Sequence, residues 1–290
     1  MVEYILGNYL MESGKITREQ FHQVLAKQDS VCVKMGLIAV EDGLMTMEQA
    51  DEVDRMQAAT DQSFGDIALV KGYLTEEQII KLSKQQSNPY LVFIQSLMDE
   101  ELITLEEIDW LMSDFRKAGG YSNSELEDIK SDDVDRILPL MLPEEAKQFQ
   151  EIIGAAVRTM IQMVDRHSYP GRAAMVDSLP TEPLVNQVLV WEEGIVCCLS
   201  ERDGGLLKVC SVFGREEFEQ LDEDSLDAAA EFLNCVSGLY TSNLSRQGVF
   251  LELIPPEFTE VREPIKKNTI CRIPIFVGEH GLYFTVAEII

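Results

Sequence analysis

Histidine is nearly absent from these 290 residues: His22, His167 and His280 are the full set, widely spaced and outside any HExxH-like pairing. A dedicated transition-metal site therefore has little support. The six cysteines, Cys32, Cys197, Cys198, Cys210, Cys235 and Cys271, form neither a CxxC pair nor a dense framework. That excludes a disulfide scaffold and points to reduced core residues of a cytosolic protein. Long apolar runs are missing as well. No window approaches the roughly 18 apolar residues of a membrane span, and the opening Met1-Val2-Glu3-Tyr4 lacks the basic stretch and apolar segment of a secretion signal. The expected setting is cytoplasmic, without membrane insertion. Basic residues are in deficit: 24 Lys and Arg face 51 Asp and Glu, for a net charge of -27. A phosphate backbone is repelled by such a surface, so nucleic acid is excluded as the main partner, while partners with exposed Lys or Arg are favoured.

What is present is enough apolar material, 46% of the chain, to fill two modest cores. The first third carries an internal repeat. Thr17, Thr46, Thr75 and Thr104 stand 29 residues apart, each followed three positions later by Gln20, Gln49, Gln78 or Glu107, which is a helix-starting capping box four times over. An apolar residue precedes each Thr (Ile16, Met45, Leu74, Ile103), and another follows four positions on (Phe21, Ala50, Ile79, Ile108). These supply a hydrophobic staple. Gly14, Gly43 and Gly72 fall where a left-handed residue ends a preceding helix, and the fourth unit has Glu101 there. Each unit thus predicts a helix, a tight turn and a second helix, in an all-α domain of 29-residue units spanning residues 1–118. The first three units also share an inner glycine (Gly7, Gly36, Gly65) and a closing glutamine (Gln28, Gln57, Gln86); the fourth substitutes Ile94 and Phe115, as an end unit does.

This pattern, as in Leu6-Gly7, Leu10, Gly14, Ile16, Phe21, Leu25 and Gln28, resembles the MshEN-type N-terminal domain of type II secretion and pilus ATPases, which places two such motifs around cyclic di-GMP. The resemblance implies a ligand role for Gly7, Gly14, Gln28, Lys34, Gly36, Gly43, Gln57, Gly65, Gly72 and Gln86. The arginine that opens the family motif is replaced by Ile5, Lys34, Ser63 and Val92, so only Lys34 retains a cation and no unit offers a bidentate guanidinium. Two readings stand: the glycines and glutamines admit a nucleotide, or they serve helix packing and solvation in a domain for partner docking or regulation.

Composition shifts at Gly119-Gly120, and residues 119–143 are expected to form an acidic, polar linker. From 144 to 290 an α+β domain is expected, with an antiparallel sheet and long helices. A helix is predicted over 144–164 and a second over 224–245, with candidate strands at 186–191, 194–200, 206–213, 249–254, 271–277 and 282–287. The Gly204-Gly205 pair and residues 279–281 suggest hairpin turns.

Within 224–245, Asp227, Glu231 and Asn234 are spaced by four and then three, which aligns them within about 60° on one helix face. Gly238 extends the stripe, and the small Ala228, Ala229 and Ala230 beside it would let another protein lie close. By spacing alone such a stripe is usually a solvated surface. The segment Asp227-Ala-Ala-Ala-Glu231-Phe-Leu-Asn234, with Gly238, resembles the DxxxExxN signature of the CheC/CheX/FliY chemotaxis phosphatases. Residues 145–290 are similar to that family, including Ile273-Pro274-Ile275-Phe276 and Gly281-Leu282-Tyr283-Phe284. The resemblance implies hydrolysis of the aspartyl phosphate on a CheY-like receiver domain. Glu231 would pair with the receiver's lysine, Asn234 would hold the attacking water in line, and Asp227 and Gly238 would help docking. It also implies no cofactor of the chain's own, since Mg2+ would belong to the receiver. Family members often carry a proline 23 positions after the asparagine, whereas Pro255 and Pro256 stand 21 and 22 after Asn234; the matching second stripe has Glu151 but Gly154 in place of an amide. One active stripe is therefore expected, as in CheX, with dimerisation through the sheet. The other reading is a non-enzymatic signalling adaptor.

Overall fold

The computed structural model describes residues 1–60, 62–181, 184–190, 194–258 and 261–290. They form two compact units, Met1–Asp132 and Asp133–Ile290.

The first unit is helical: α1 (Val2–Glu12), α2 (Arg18–Lys27), α3 (Met35–Glu41), α4 (Met47–Ala59), α5 (Phe64–Lys71), α6 (Glu76–Gln85), α7 (Pro89–Asp99), α8 (Leu105–Gly119) and α9 (Asn123–Lys130). Local side-chain chemistry sets the starts of α2, α4 and α6. The Gln20 N–H donates to Thr17 Oγ1 at 3.2 Å while the Thr17 N–H donates to Gln20 Oε1 at 2.8 Å, and Thr46/Gln49 and Thr75/Gln78 repeat the exchange. Each cap is worth about 1 kcal/mol. At Thr104 the backbone N–H and the hydroxyl both donate to the Glu107 carboxylate, at 2.8 and 3.0 Å. Gly14, Gly43 and Gly72 lie at φ 70°, 65° and 72°, and Glu101 accepts the same left-handed conformation at φ 58°, where a side chain costs about 1–2 kcal/mol. The apolar stripes meet in a core that includes Leu6, Leu10, Phe21, Ile38 and Phe93, with Phe21 edge-on to both Tyr4 and Phe93.

The stretch 119–143, expected as an acidic, polar linker, is largely helical. It contains α9, capped by the Ser122–Glu125 box, and α10 (Val134–Met141), capped by Asp133. Its acidic surface hid apolar residues at helical spacing, Leu126 and Ile129 in α9 and Ile137, Leu138 and Met141 in α10, all buried. The units divide inside this stretch, beside Asp132 at φ 56°.

The second unit is α+β. After a 3-10 turn at Glu144–Phe149 come α11 (Gln150–Met163), β1 (Tyr169–Pro170), β2 (Ala174–Met175), β3 (Leu184–Val190), β4 (Ile195–Glu201), α12 (Gly205–Gly214), α13 (Glu223–Arg246), β5 (Glu252–Leu253), β6 (Cys271–Val277) and β7 (His280–Glu288). The strands pair antiparallel in the order β1-β6-β7-β4-β3-β5, with β2 also on β6. Alternation along the strands fills two faces. Val185, Leu189, Cys197, Leu199, Ile273, Phe284 and Val286 join α11, α12 and α13 in the main core. Leu184, Val188, Val196, Cys198 and Ala287 form a smaller core with Ile270 on the opposite face.

Residues 206–213, expected as a strand, are α12. The run is short and apolar enough to suit either element, but Leu206, Val209 and Cys210 are buried at helical spacing. Gly204-Gly205 is accordingly a helix entry and not a hairpin turn. Gly204 sits at φ 81°, the Glu201 carboxylate accepts the Gly204 and Leu207 N–H groups, and a Cβ on Gly205 would lie 2.3 Å from the Gly281 carbonyl carbon. The expected strand 249–254 shrinks to Glu252–Leu253, since Phe250 is exposed and Pro255 and Pro256 have no N–H to extend the ladder. Trp191, the expected end of its strand, lies outside the described residues. The β6–β7 hairpin turns at Gly278 and Glu279. Four cysteines, Cys197, Cys198, Cys210 and Cys271, are buried free thiols, and burial pushes Cys198 up to about 12; Cys32 is exposed and so is no core residue.

Candidate functional site

Helix α13 begins with a reciprocal cap. The Ser225 N–H donates to the Asp222 carboxylate at 3.1 Å and the Asp222 N–H donates to Ser225 Oγ at 2.8 Å. The backbone hydrogen bond from Ser225 holds the Asp222 carboxyl below the usual carboxylate range. From there one face of α13 enters the core through Ala229, Ala230, Phe232, Leu233 and Val236. At 100° per residue the opposite face carries Asp227, Glu231 and Asn234, and all three are exposed. Gly238 is half-buried, with nothing within 4 Å of where its Cβ would stand.

The expected stripe is therefore a surface ridge, but the alanines beside it do different work from that expected. Ala229 and Ala230 face inward, and Ala228 Cβ lies 3.2 Å from the Cβ position of Gly214 on α12. They let α13 approach its own core and not an incoming protein.

Glu231 has no hydrogen-bond or ion-pair partner among the described residues, so its carboxylate is available to an external cation. Asn234 Oδ1 accepts a hydrogen bond from Gln187 Nε2 on β3 at 3.0 Å. An acid and an amide about 4.5 Å apart along the helix axis can pair with a lysine and hydrogen-bond a water or phosphoryl oxygen. Gln187 was not anticipated from sequence. The one signal was the polar Asn186-Gln187 doublet inside the apolar Leu184–Val190 strand. On α11, Glu151 is exposed, and a Cβ at the buried Gly154 would lie 3.0 Å from the Arg158 guanidinium.

The first unit holds a cleft of about 800 Å3. Of the candidate ligand residues, Lys34, Gln57, Gly65 and Gln86 line it, together with Ser63 and Asp54. Burial raises the Asp54 pKa, with the Lys34 charge opposing the shift. Gln86 Nε2 donates to the Val33 carbonyl at 2.8 Å, tying two segments of the wall together. Gly7, Gly14, Gln28, Gly36, Gly43 and Gly72 do not line the cleft. Packing explains the inner glycines: a Cβ on Gly7 would lie 2.1 Å from the Phe21 ring, on Gly36 3.2 Å from Phe64, and on Gly65 3.1 Å from Ile79. Gly14, Gly43 and Gly72 meet nothing within 4 Å and serve their left-handed turns. Among the described residues no cluster of three or more His, Cys, Asp or Glu is arranged to hold a metal, and no helix is long and apolar enough to cross a membrane.

No family model matches the chain, and no curated protein matches it. Its C-terminal half is similar to solved structures of CheC- and CheX-like chemotaxis proteins. A CheC-like superfamily protein from Shewanella sp. PV-4 is 15% identical, covering 50% of this chain and 98% of that one, with a TM-score of 0.42. CheX from Vibrio vulnificus is 14% identical over 50% and 99%, with a TM-score of 0.40. A CheX–CheY–BeF3–Mg2+ complex from Borrelia burgdorferi is 16% identical over 50% and 99%, with a TM-score of 0.41.

Proposed function

We propose that this chain is a phosphatase of the CheC/CheX/FliY type, acting on the aspartyl phosphate of a CheY-like receiver domain. The observation that carries the reading is the joint exposure of Glu231 and Asn234, one helical turn apart on α13, in the DxxxExxN pattern of that family. Glu231 pairs with the receiver's lysine, and Asp227 and Gly238 flank the docking face. Asn234 enters the receiver's site and holds a water in line with the phosphorus. The water oxygen bonds to phosphorus, the bond to the aspartyl oxygen breaks, and the products are inorganic phosphate and a free carboxylate. No covalent enzyme intermediate forms, and Mg2+ remains the receiver's own, so the rate gain comes from positioning. Asparagine suits the task because a neutral amide donates and accepts without repelling phosphoryl oxygens. The test is decay of a phosphorylated receiver with wild type and with Asn234→Ala. Equal rates would remove the enzyme reading.

In the same reading residues 1–118 are MshEN-like 29-residue repeat units that regulate or localise a cytoplasmic enzyme, and the α+β unit dimerises through its sheet. The second reading is a non-enzymatic adaptor whose N-terminal unit holds cyclic di-GMP or a protein. It is favoured by the first-unit cleft, which gathers Lys34, Gln57 and Gln86. Titration of cyclic di-GMP into the full chain tests it, and no heat or shift at high micromolar ligand excludes the nucleotide.

A further inference from the structure

Gln187 lies on the helix-facing side of β3 between Val185 and Leu189, both fully buried, and is itself only 1% exposed. A primary amide in such surroundings must be accounted for atom by atom. Its Nε2 donates twice, to the Ile254 carbonyl and to Asn234 Oδ1, each at 3.0 Å. Its Oε1 is buried with no hydrogen-bond partner among the described residues. The Ile254 carbonyl can only accept, so the nitrogen end of Gln187 must face it; the reverse orientation would press two carbonyl oxygens together. The same nitrogen then meets Asn234, which must answer with its oxygen. The Asn234 NH2 group is thereby turned toward solvent.

We propose that Gln187 is a positioning residue that fixes the Asn234 carboxamide in one orientation, with its NH2 presented outward to the phosphorylated receiver. The inference rests on the phosphatase reading and adds a buried partner to it. An asparagine on an open helix face would otherwise rotate and flip freely, presenting oxygen as often as nitrogen to phosphoryl oxygens that can only accept. A glutamine serving only to fill space would be replaced by methionine at no functional cost, the relief of the unpaired Oε1 offsetting part of the two lost Nε2 hydrogen bonds.

The experiment uses the full chain and a phosphorylated receiver whose decay is followed over a range of receiver concentrations. Gln187→Met is expected to lower kcat by about ten- to a hundredfold while KM stays within about twofold and the unfolding midpoint falls by no more than a few degrees. A wild type that accelerates decay and a Gln187→Met variant with the same kcat would overturn the inference alone. A wild type without acceleration would overturn the phosphatase reading and this role with it. Side-chain 15N–1H spectra test the geometry independently of activity. The Gln187 NH2 protons are expected to exchange with solvent at least about tenfold more slowly than those of a free amide; in Asn234→Ala the proton that faced Asn234 is expected to exchange faster while the one bonded to the Ile254 carbonyl stays protected. Exchange at the free-amide rate in the wild type would overturn the assignment.

Discussion

Asn234→Ala separates chemistry from folding because the side chain is exposed and, among the described residues, its hydrogen-bond partner is Gln187. If the amide holds the nucleophilic water, its loss leaves the receiver docked but the water unaligned. A misplacement of about 1 Å costs about a hundredfold, so kcat is expected to fall by two to three orders of magnitude, equivalent to about 2.7–4 kcal/mol. The structural cost is far smaller. Removal of the 3.0 Å bond to Gln187 loses about 1 kcal/mol, and the gain in helix propensity from Asn to Ala returns about 0.5 kcal/mol. The α+β unit should therefore melt within about 4 °C of the wild type. Asn234→Asp is the sharper control. A carboxylate can still accept the Gln187 N–H, so the packing survives, but it presents an acceptor and a negative charge to the phosphate and should be at least as inactive as alanine. The assay is receiver dephosphorylation at saturating receiver, with calorimetry on the same samples. A kcat loss under about threefold, or a loss confined to KM, would refute the positioning argument.

Glu231→Gln should raise KM about tenfold or more with a smaller effect on kcat, and should flatten the salt dependence of KM, because a charge-assisted contact worth about 1.5–3 kcal/mol is lost at the interface; receiver titrations at two ionic strengths measure it. Gly7→Ala should destabilise the first unit by about 1–3 kcal/mol despite alanine's better helix propensity, since its Cβ would overlap the Phe21 ring. Glu101→Gly should instead stabilise it by about 0.5–1 kcal/mol by relieving φ 58°; denaturant midpoints give both. The depressed folded-state pKa of Asp222 means that its contribution is complete above the unfolded value of about 3.9 and fades as pH falls through the folded value. Asp222→Asn, an equally good cap, should leave stability near pH 7 unchanged and reduce the acid-side loss in melts below about pH 4.

The sequence was most informative where both partners of an interaction lie within one turn. Thr17 and Gln20 meet because they are three residues apart, and the boxes at Thr46 and Thr75 follow the same rule. The ridge was legible for the same reason, since residues 227, 231 and 234 share a face of any regular helix. Residues 206–213 were not, because a short apolar run carries no decisive period; the deciding contact is between Gly205 and Gly281 on a distant strand. Nor could the inner glycines be read alone. A missing Cβ admits a ligand or a side chain, and the Phe21 ring against Gly7 is a tertiary fact. Gln187 lies 47 positions from Asn234, so only the folded sheet brings them together.

On the proposed phosphatase reading, the charge balance accounts for an amide and not an acid at the end of the motif. A phosphoryl group approaching α13 meets Asp227 and Glu231 on the same exposed face of a chain with net charge -27, so a third carboxylate at position 234 would add repulsion where the transition state spreads negative charge over the phosphoryl oxygens. On the proposed phosphatase reading this ridge would supply only neutral hydrogen bonding there, and the cations would come from the receiver: its lysine against Glu231 and its own Mg2+ against the phosphate. On that reading the acidity that disfavours nucleic acid would also work as a filter. Only a phosphate already neutralised within a basic, metal-loaded pocket would then reach Asn234 without a large electrostatic cost. Free phosphate esters lack those cations, and the ridge offers them no cation of its own.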